Sequence, residues 1–120
     1  MTQGNIHEFT VSELAGSLKR TVEDAFGHVR VRGELGRVVI ARSGHVYFDL
    51  KDDKSVITSI AWKGTAARFR FQPEEGREVI IAGRMSTYPG RSQYRLIVAT
   101  MEPPAAGALM ALLDAVLDAH

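Results

Sequence analysis

A ten-residue segment at positions 43–52, Ser-Gly-His-Val-Tyr-Phe-Asp-Leu-Lys-Asp, constrains the fold of this chain more than any other feature. A glycine turn opens it, and apolar and polar residues then alternate with the two-residue period of a β-strand. One face of that strand carries Val, Phe and Leu, and the other carries His45, Tyr47 and Lys51. Such a strand can pack a core on one side and offer nucleotides an aromatic and cationic surface on the other.

Length and composition indicate a single globular domain. The chain has 120 residues, of which 45% are hydrophobic, and it has no cysteine. Disulfides and thiolate metal sites are therefore excluded. No apolar run approaches the ~20 residues of a membrane span, and the first residues show no signal-peptide core. We expect a cytoplasmic protein without a membrane partner.

The distribution of charge is more informative than the net charge of +1. Residues 30–51 contain five Lys or Arg against two acids, and residues 84–101 contain three Arg and no acid. The acids gather at residues 23–24, 52–53 and 74–75. This pattern fits a basic binding face, and it also fits solvated strand edges protected by charge.

The first predicted helix begins at a capping box. Thr10 precedes the apolar stripe and Glu13 follows three residues later, as the box requires. Gly27 is expected to end the helix in a left-handed conformation. The residues at helical spacing that form the apolar stripe are Val11, Leu14, Leu18, Val22 and Phe26.

Strand signals dominate the rest of the chain. Five strands are predicted, at residues 28–40, 45–51, 55–62, 77–87 and 93–101. Gly33 and Gly36 interrupt the first strand, where a bend or bulge would let it curve. A short helix is predicted within residues 63–71. A C-terminal amphipathic helix is indicated by Leu109, Leu112, Leu113, Val116 and Leu117.

This element order predicts a mainly β fold, a five-stranded OB-fold barrel with an N-terminal helix, a short helix between strands 3 and 4, and a C-terminal helix. An SH3-like barrel is the main alternative, although it usually lacks a helix between its third and fourth strands. We divide the chain into an N-terminal extension and helix at 1–27, the barrel at 28–102, and a linker and helix at 103–120.

OB barrels bind single strands on the face of strands 2 and 3 and on the two loops beside it. Here the first loop is expected at about residues 37–43 and the second at residues 87–93. Basic and aromatic residues on these elements and on strand 1 are the candidate nucleic-acid contacts: Arg30, Arg32, Arg37, Arg42, His45, Tyr47, Lys51, Tyr88 and Arg91. Tyr47 also fits a cross-strand packing role, and the side on which Trp62 lies is left open.

Catalytic and metal-binding patterns are weak. The histidines have no metal-ligand spacing, and no glycine-rich phosphate loop precedes a helix. Asp49, Asp52 and Asp53 are close in sequence, but residues 52–54 have the usual composition of a tight turn. We expect no metal, no cofactor and no catalytic residue in this chain.

The chain resembles the N-terminal domain of exodeoxyribonuclease VII large subunits. The match extends from about residue 9 to about residue 113. Its most specific part is the Ser-Gly-His-x-Tyr-Phe-x-Leu-Lys-Asp run at 43–52. The other segments and residues that carry it are 9–14, 31–35, 60–64, 101–103, Arg68, Tyr88, Arg91 and Tyr94.

The resemblance implies an OB-fold that holds single-stranded DNA for a nuclease domain absent from this chain. The parent enzyme would hydrolyse single-stranded DNA to oligonucleotides from either end, together with a small subunit. It implies a DNA-binding face at His45, Tyr47, Lys51, Tyr88 and Arg91. Two other readings of the residues stay open: a protein-interaction OB module, with a homodimer through the C-terminal helix, and an RNA-binding OB domain.

Overall fold

A computed structural model of the chain describes residues 6–88, 90–104 and Val116. Its first element is helix α1, Val11–Ala25, which begins at the predicted capping box. The Thr10 hydroxyl accepts a hydrogen bond from the Glu13 N–H at 3.1 Å, and the Glu13 carboxylate accepts one from the Thr10 N–H at 2.8 Å. Two N–H groups that have no partner within the helix are thereby satisfied.

The end of α1 differs from the prediction. The helix ends at Ala25, and the Phe26 N–H donates to the Val22 carbonyl at 2.9 Å. The prediction of a left-handed conformation at Gly27 is wrong. Among the described glycines, only Gly44, Gly76 and Gly90 have a positive φ. Standard helical hydrogen bonding therefore continues up to Phe26, and no left-handed glycine is needed.

Five strands form the closed barrel that the element order predicts. They are β1 Val29–Ile40, β2 Val46–Lys51, β3 Val56–Ala61, β4 Glu78–Thr87 and β5 Tyr94–Glu102, with helix α2 Lys63–Ala66 between β3 and β4. Around the barrel the strand order is β1-β2-β3-β5-β4. All neighbours are antiparallel except β3 and β5, which are parallel. The predicted OB-fold barrel is confirmed, although α2 is shorter than expected.

Strand β1 closes the barrel because it pairs on two sides. Its first half, from Val29 to Glu34, pairs with β4, and its second half pairs with β2. The register shifts between Leu35 and Val38, in agreement with the predicted bend. A Cβ at Gly33 would lie 2.9 Å from the Leu50 side chain and 3.0 Å from the Lys51 carbonyl. Only glycine lets the two strands cross so closely.

The core confirms the alternation predicted for β2. Val46, Phe48 and Leu50 are at most 4% exposed, whereas Tyr47 is 41% exposed on the other face. Burying one such apolar side chain stabilises the fold by about 1.5–3 kcal/mol. The remaining buried members of the core cluster come from the other four strands: Leu35, Ala61, Val79, Ile81, Leu96, Val98 and Met101.

The predicted C-terminal helix at 103–120 lies outside the described residues, apart from its first positions and Val116. The homodimer expected through this helix therefore stays a prediction. Within the part of the chain that is described, no helix is long and apolar enough to cross a bilayer.

Candidate nucleic-acid interface

The outer faces of β2, β3 and β5 form a continuous surface. Tyr47 on β2 lies opposite Ile60 on β3, which in turn lies beside Ile97 on β5. Ile60 and Ile97 are 2% and 8% exposed and do not belong to the core cluster. They form the apolar floor of the surface on which Tyr47 stands.

A cavity of about 360 Å³ lies on this surface, between the β2–β3 face and the β4–β5 loop. All three tyrosines of the chain line it. Tyr47, Tyr88 and Tyr94 are 41%, 49% and 65% exposed, so their rings are accessible to a ligand. We call this site the tyrosine cavity. Its rings suit base stacking, which contributes about 1–3 kcal/mol per base.

Arg95 lines the same cavity and was not among the residues predicted from the sequence. Its guanidinium carbon lies 5.2 Å from the centre of the Tyr88 ring and 5.5 Å from that of the Trp62 ring. Two aromatic faces thus hold one cation by cation–π attraction. The Arg95 Nε is shielded from solvent and has no hydrogen-bond partner among the described residues. The guanidinium is therefore fixed by its two aromatic neighbours and not by a hydrogen bond from Nε.

Trp62 is part of this surface and not of the core. It is 38% exposed and follows the last residue of β3, where it caps the N-terminus of α2. Its ring packs edge-on against the His45 imidazole, with the ring centres 5.3 Å apart. The side of Trp62, which the sequence leaves open, is therefore the side of His45.

His45 has a structural contact as well. Its Nδ1 accepts a hydrogen bond from the Lys63 N–H at 2.8 Å, which satisfies one free donor at the start of α2. The imidazole proton of this tautomer is on Nε2. His45 thereby orients both α2 and Trp62 beside the tyrosine cavity.

The loop between β1 and β2 is shorter than expected. Because β1 runs to Ile40, Arg37 lies within the strand, and only Arg42 belongs to the turn. In this turn the Ala41 N–H donates to the His45 carbonyl and the Gly44 N–H donates to the Ala41 carbonyl, both at 2.9 Å. Gly44 has a φ of 94°, which glycine adopts without strain because it has no Cβ.

The β4–β5 loop places Tyr88 and Arg91 next to each other. The Arg91 N–H donates to the Tyr88 carbonyl at 3.3 Å, and the Tyr88 N–H donates to the Gln93 carbonyl at 2.8 Å. Both residues also line a cleft of about 340 Å³ against α1, together with Lys19. Tyr88 therefore lines both the tyrosine cavity and this cleft, whereas Arg91 adds positive charge to the cleft.

Three of the candidate residues lie away from the tyrosine cavity. Arg30 and Arg32 are on the half of β1 that pairs with β4, and the Arg32 guanidinium is 3.7 Å from the Glu78 carboxylate. Lys51 is at the end of β2, opposite Glu34 on β1. The barrel therefore brings Tyr47 and Tyr88 together, with His45 and Arg91 nearby, and does not bring these three to the same cavity.

The aspartates near the β2–β3 turn have a structural use. The Asp52 carboxylate accepts hydrogen bonds from the Lys54 and Ser55 N–H groups, both at 2.9 Å. These bonds lower the pKa of Asp52 below its ordinary value of 3.8, that from Lys54 having the larger effect. Within the described ranges, no three His, Cys, Asp or Glu side chains are grouped so that they could hold a metal ion.

A five-stranded barrel with an aromatic and cationic outer face defines a nucleic-acid-binding OB domain, and the chain belongs to the family of OB-fold nucleic acid binding domains, which it matches over residues 9–102. Among curated proteins it is similar to the exodeoxyribonuclease 7 large subunit of Cereibacter sphaeroides, with 59% identity over 110 residues. It is 56% identical over 111 residues to the protein of the same name from Brucella canis. The resemblance predicted from the sequence is confirmed.

The alignments cover 92% of this chain but only 21% and 22% of those two relatives. The chain thus spans about a fifth of the length of the curated relatives that it matches. The similarity therefore concerns this domain, and the activity of the full-length relatives is only proposed for its parent protein.

Solved structures support the fold. The chain is similar to a chain of a replication protein A heterotrimer bound to ssDNA, with a TM-score of 0.52 and 10% identity, over 63% of this chain and 56% of the other. It is also similar to Entamoeba histolytica asparaginyl-tRNA synthetase with asparaginyl-adenylate, with a TM-score of 0.55 and 15% identity, over 62% of this chain and 20% of the other. At these identities the similarity establishes a shared fold.

Proposed function

We propose that this chain is a single-stranded DNA-binding domain that delivers DNA to the nuclease domain of an exodeoxyribonuclease VII large subunit. One observation carries the proposal: the Arg95 guanidinium is held between Trp62 and Tyr88 at a cavity lined by all three tyrosines. Bases would stack on the exposed rings, and the Arg95 guanidinium would donate to a phosphate or base oxygen.

The site is suited to bind single strands and not duplexes. Stacking on Tyr47, Tyr88 or Tyr94 requires a base whose face is free, and a duplex offers such a face only at its ends. The rings accept any base, so binding would depend little on sequence. Basic residues would add a salt-dependent contribution from phosphates. Of the residues proposed from the sequence, these are Arg30, Arg32, Arg37, Arg42, Lys51 and Arg91.

The similarity to exodeoxyribonuclease 7 large subunits supports the wider proposal. In it, the parent protein hydrolyses single-stranded DNA to oligonucleotides from either end, in the cytoplasm and together with a small subunit. The catalytic residues would belong to the part of the parent that this chain does not span. The domain described here would bind the strand without cleaving it.

Fluorescence anisotropy with a labelled strand of about 20 nucleotides, longer than the site of one OB domain, tests the proposal. We expect micromolar binding that weakens with salt, with preference over the matching duplex. Tyr47→Ala should weaken binding about tenfold, whereas Tyr47→Phe should not, because stacking uses the ring and not the hydroxyl.

Equal affinity for duplex and single strand, or the absence of binding at low salt, would contradict the proposal. An RNA strand of the same sequence belongs in the same titration. Clear preference for it would indicate contacts to the 2′-hydroxyl and would assign the domain to RNA instead.

A further inference from the structure

A groove of about 460 Å³ lies on the barrel surface and is lined in part by Trp62. Small residues at the β4–β5 bulge, Ala82, Gly83 and Ala99, form part of its lining, so the backbone is accessible there. We call it the Trp62 groove. Its basic and aromatic lining residues are His28, Trp62, Arg68 and Arg84.

The Trp62 groove and the tyrosine cavity share no lining residue but are linked by contacts between their lining residues. Arg95 lines the cavity and lies over the Trp62 ring, and Trp62 in turn lines the groove. Ile97, which lies beside Ile60 on the floor of the outer surface, also lines the groove. A link between the cavity and the groove therefore passes from Arg95 to Trp62.

The charges along the groove favour a polyanion. Arg68 is exposed, and no described carboxylate lies within ion-pair distance of it. Arg84 is 3.7 Å from Glu23, which partly neutralises it. Arg30 on β1 pairs with Ala82 of the groove floor, so it stands at the outer edge of the groove.

We propose that the Trp62 groove carries the sugar-phosphate backbone of the nucleotides that extend beyond the tyrosine cavity, with Arg68 and Arg30 contacting phosphates. This inference rests on the proposed function of the cavity. The cavity holds bases by stacking, whereas the groove adds phosphate contacts, which position a strand without reading its sequence. A floor of glycine and alanine lets the strand approach the protein backbone closely.

The length of the oligonucleotide separates the two parts of the site. Anisotropy titrations would use deoxythymidine strands of about 5 and about 15 nucleotides, because a single OB domain covers about 4–16 nucleotides. In the wild-type chain the longer strand should bind more tightly. Arg68→Ala and Arg30→Ala should each weaken the longer strand roughly threefold to tenfold, and reduce its salt slope by about 0.7 per lost phosphate contact.

The shorter strand should bind the Arg68→Ala variant as it binds the wild type. Arg70→Ala is the matched control, because it removes the same charge two residues from Arg68 at a different cleft, and it should change neither affinity. Equal losses for both lengths, or equal effects of Arg68→Ala and Arg70→Ala, would overturn the groove assignment alone. Failure of the wild-type chain to bind either length would overturn the proposed function itself.

Discussion

Tyr47 and Arg95 line the same cavity but differ in what their sequence neighbours reveal. Tyr47 alternates with Val46 and Phe48, so the period of the strand predicts that its ring faces outward. Arg95 is followed by Leu96, Ile97 and Val98, a continuous apolar run that has no period. The local sequence therefore predicts Tyr47 as a site residue, but it does not indicate on which face of the strand Arg95 lies.

Arg95→Gln should weaken single-strand binding about tenfold, because it removes the cation held between the two rings and its charge-assisted hydrogen bonds. Trp62 is the only tryptophan of the chain, so its emission reports on this contact and should shift in the free variant. Anisotropy titrations and fluorescence spectra would measure the two effects.

Arg77→Gln is the control, because it removes a comparable contact, with the Arg77 guanidinium 4.0 Å from the Phe71 ring centre, away from the cavity. Both readouts should stay at the wild-type values in this variant. If Arg95→Gln bound DNA as tightly as Arg77→Gln, Arg95 would have no part in the site.

At the level of elements, turns and bulges decide how the strands meet. The Asp52 carboxylate organises the β2–β3 turn, and Gly83 lies at the β4–β5 bulge beside the Trp62 groove. The turn residues are predicted by their types. The requirement for glycine at position 83 is not predicted by residue type. A side chain there would clash with the Ile97 carbonyl, which belongs to another strand.

Gly83→Ala should destabilise the barrel by about 1–3 kcal/mol or more, because the new Cβ would collide with the Ile97 carbonyl, which the sheet holds in place. Gly64→Ala is the matched control, since it lies in α2 with no atom within 4 Å of its added methyl group. Alanine favours a helix, so this variant should equal or slightly exceed the wild-type stability. Urea unfolding measures both, and equal stabilities of the two variants would contradict the packing described at Gly83.

The β2–β3 turn should contribute a pH-dependent part of the stability. Because hydrogen bonds from Lys54 and Ser55 lower the pKa of Asp52 in the folded state, this contribution is present above the ordinary value of 3.8 and is lost as the pH falls through the folded value. Asp52→Asn should therefore be less stable than the wild type at neutral pH, and the difference should vanish in strong acid.

Urea unfolding across the pH range from neutral to acid would measure this difference. Asp53→Asn serves as the control, because neither of the two turn hydrogen bonds is accepted by Asp53. A difference between wild type and Asp52→Asn that stays constant down to low pH would show that the charge of Asp52 is not involved.

At the scale of the whole molecule, the described residues form a cooperative barrel and, at its N-terminal side, the more loosely attached helix α1. Every strand of the barrel has two neighbours, whereas α1 has no buried residue. The contacts that hold α1 include a hydrogen bond of 2.8 Å from the Ser86 hydroxyl to the Glu23 carboxylate, and the ion pair of Glu23 with Arg84. Local opening of α1 should therefore cost less free energy than opening of the barrel.

Hydrogen–deuterium exchange should show faster exchange for the amides of α1 than for those of β1 and β4. Glu23→Ala should accelerate exchange in α1 further and leave the barrel amides unchanged, because only the attachment of the helix is lost. Asp24→Ala, at the neighbouring exposed position, should have no such effect. If α1 and the barrel exchanged at one common rate, the helix would be an integral part of the cooperative unit.

The sequence by itself determined the features that depend on near neighbours along the chain. These include the capping box of α1, the two faces of β2 and the bend of β1. They also include the succession of five strands along the chain and the family resemblance carried by residues 43–52. The structural features follow from a period, a turn residue or a cap, which act over a few residues, and the resemblance follows from the match of the segment itself. They were sufficient to predict the OB barrel and to select Tyr47 and Tyr88 as site residues.

Only the tertiary structure decided which side chains share a site. The parallel pairing of β3 with β5 brings Trp62 and Arg95 together, although they are far apart in the sequence. Closure of β1 onto β4 directs Arg30 and Arg32 away from the tyrosine cavity. Barrel closure depends on contacts between distant segments, and no local period records which strands will become neighbours.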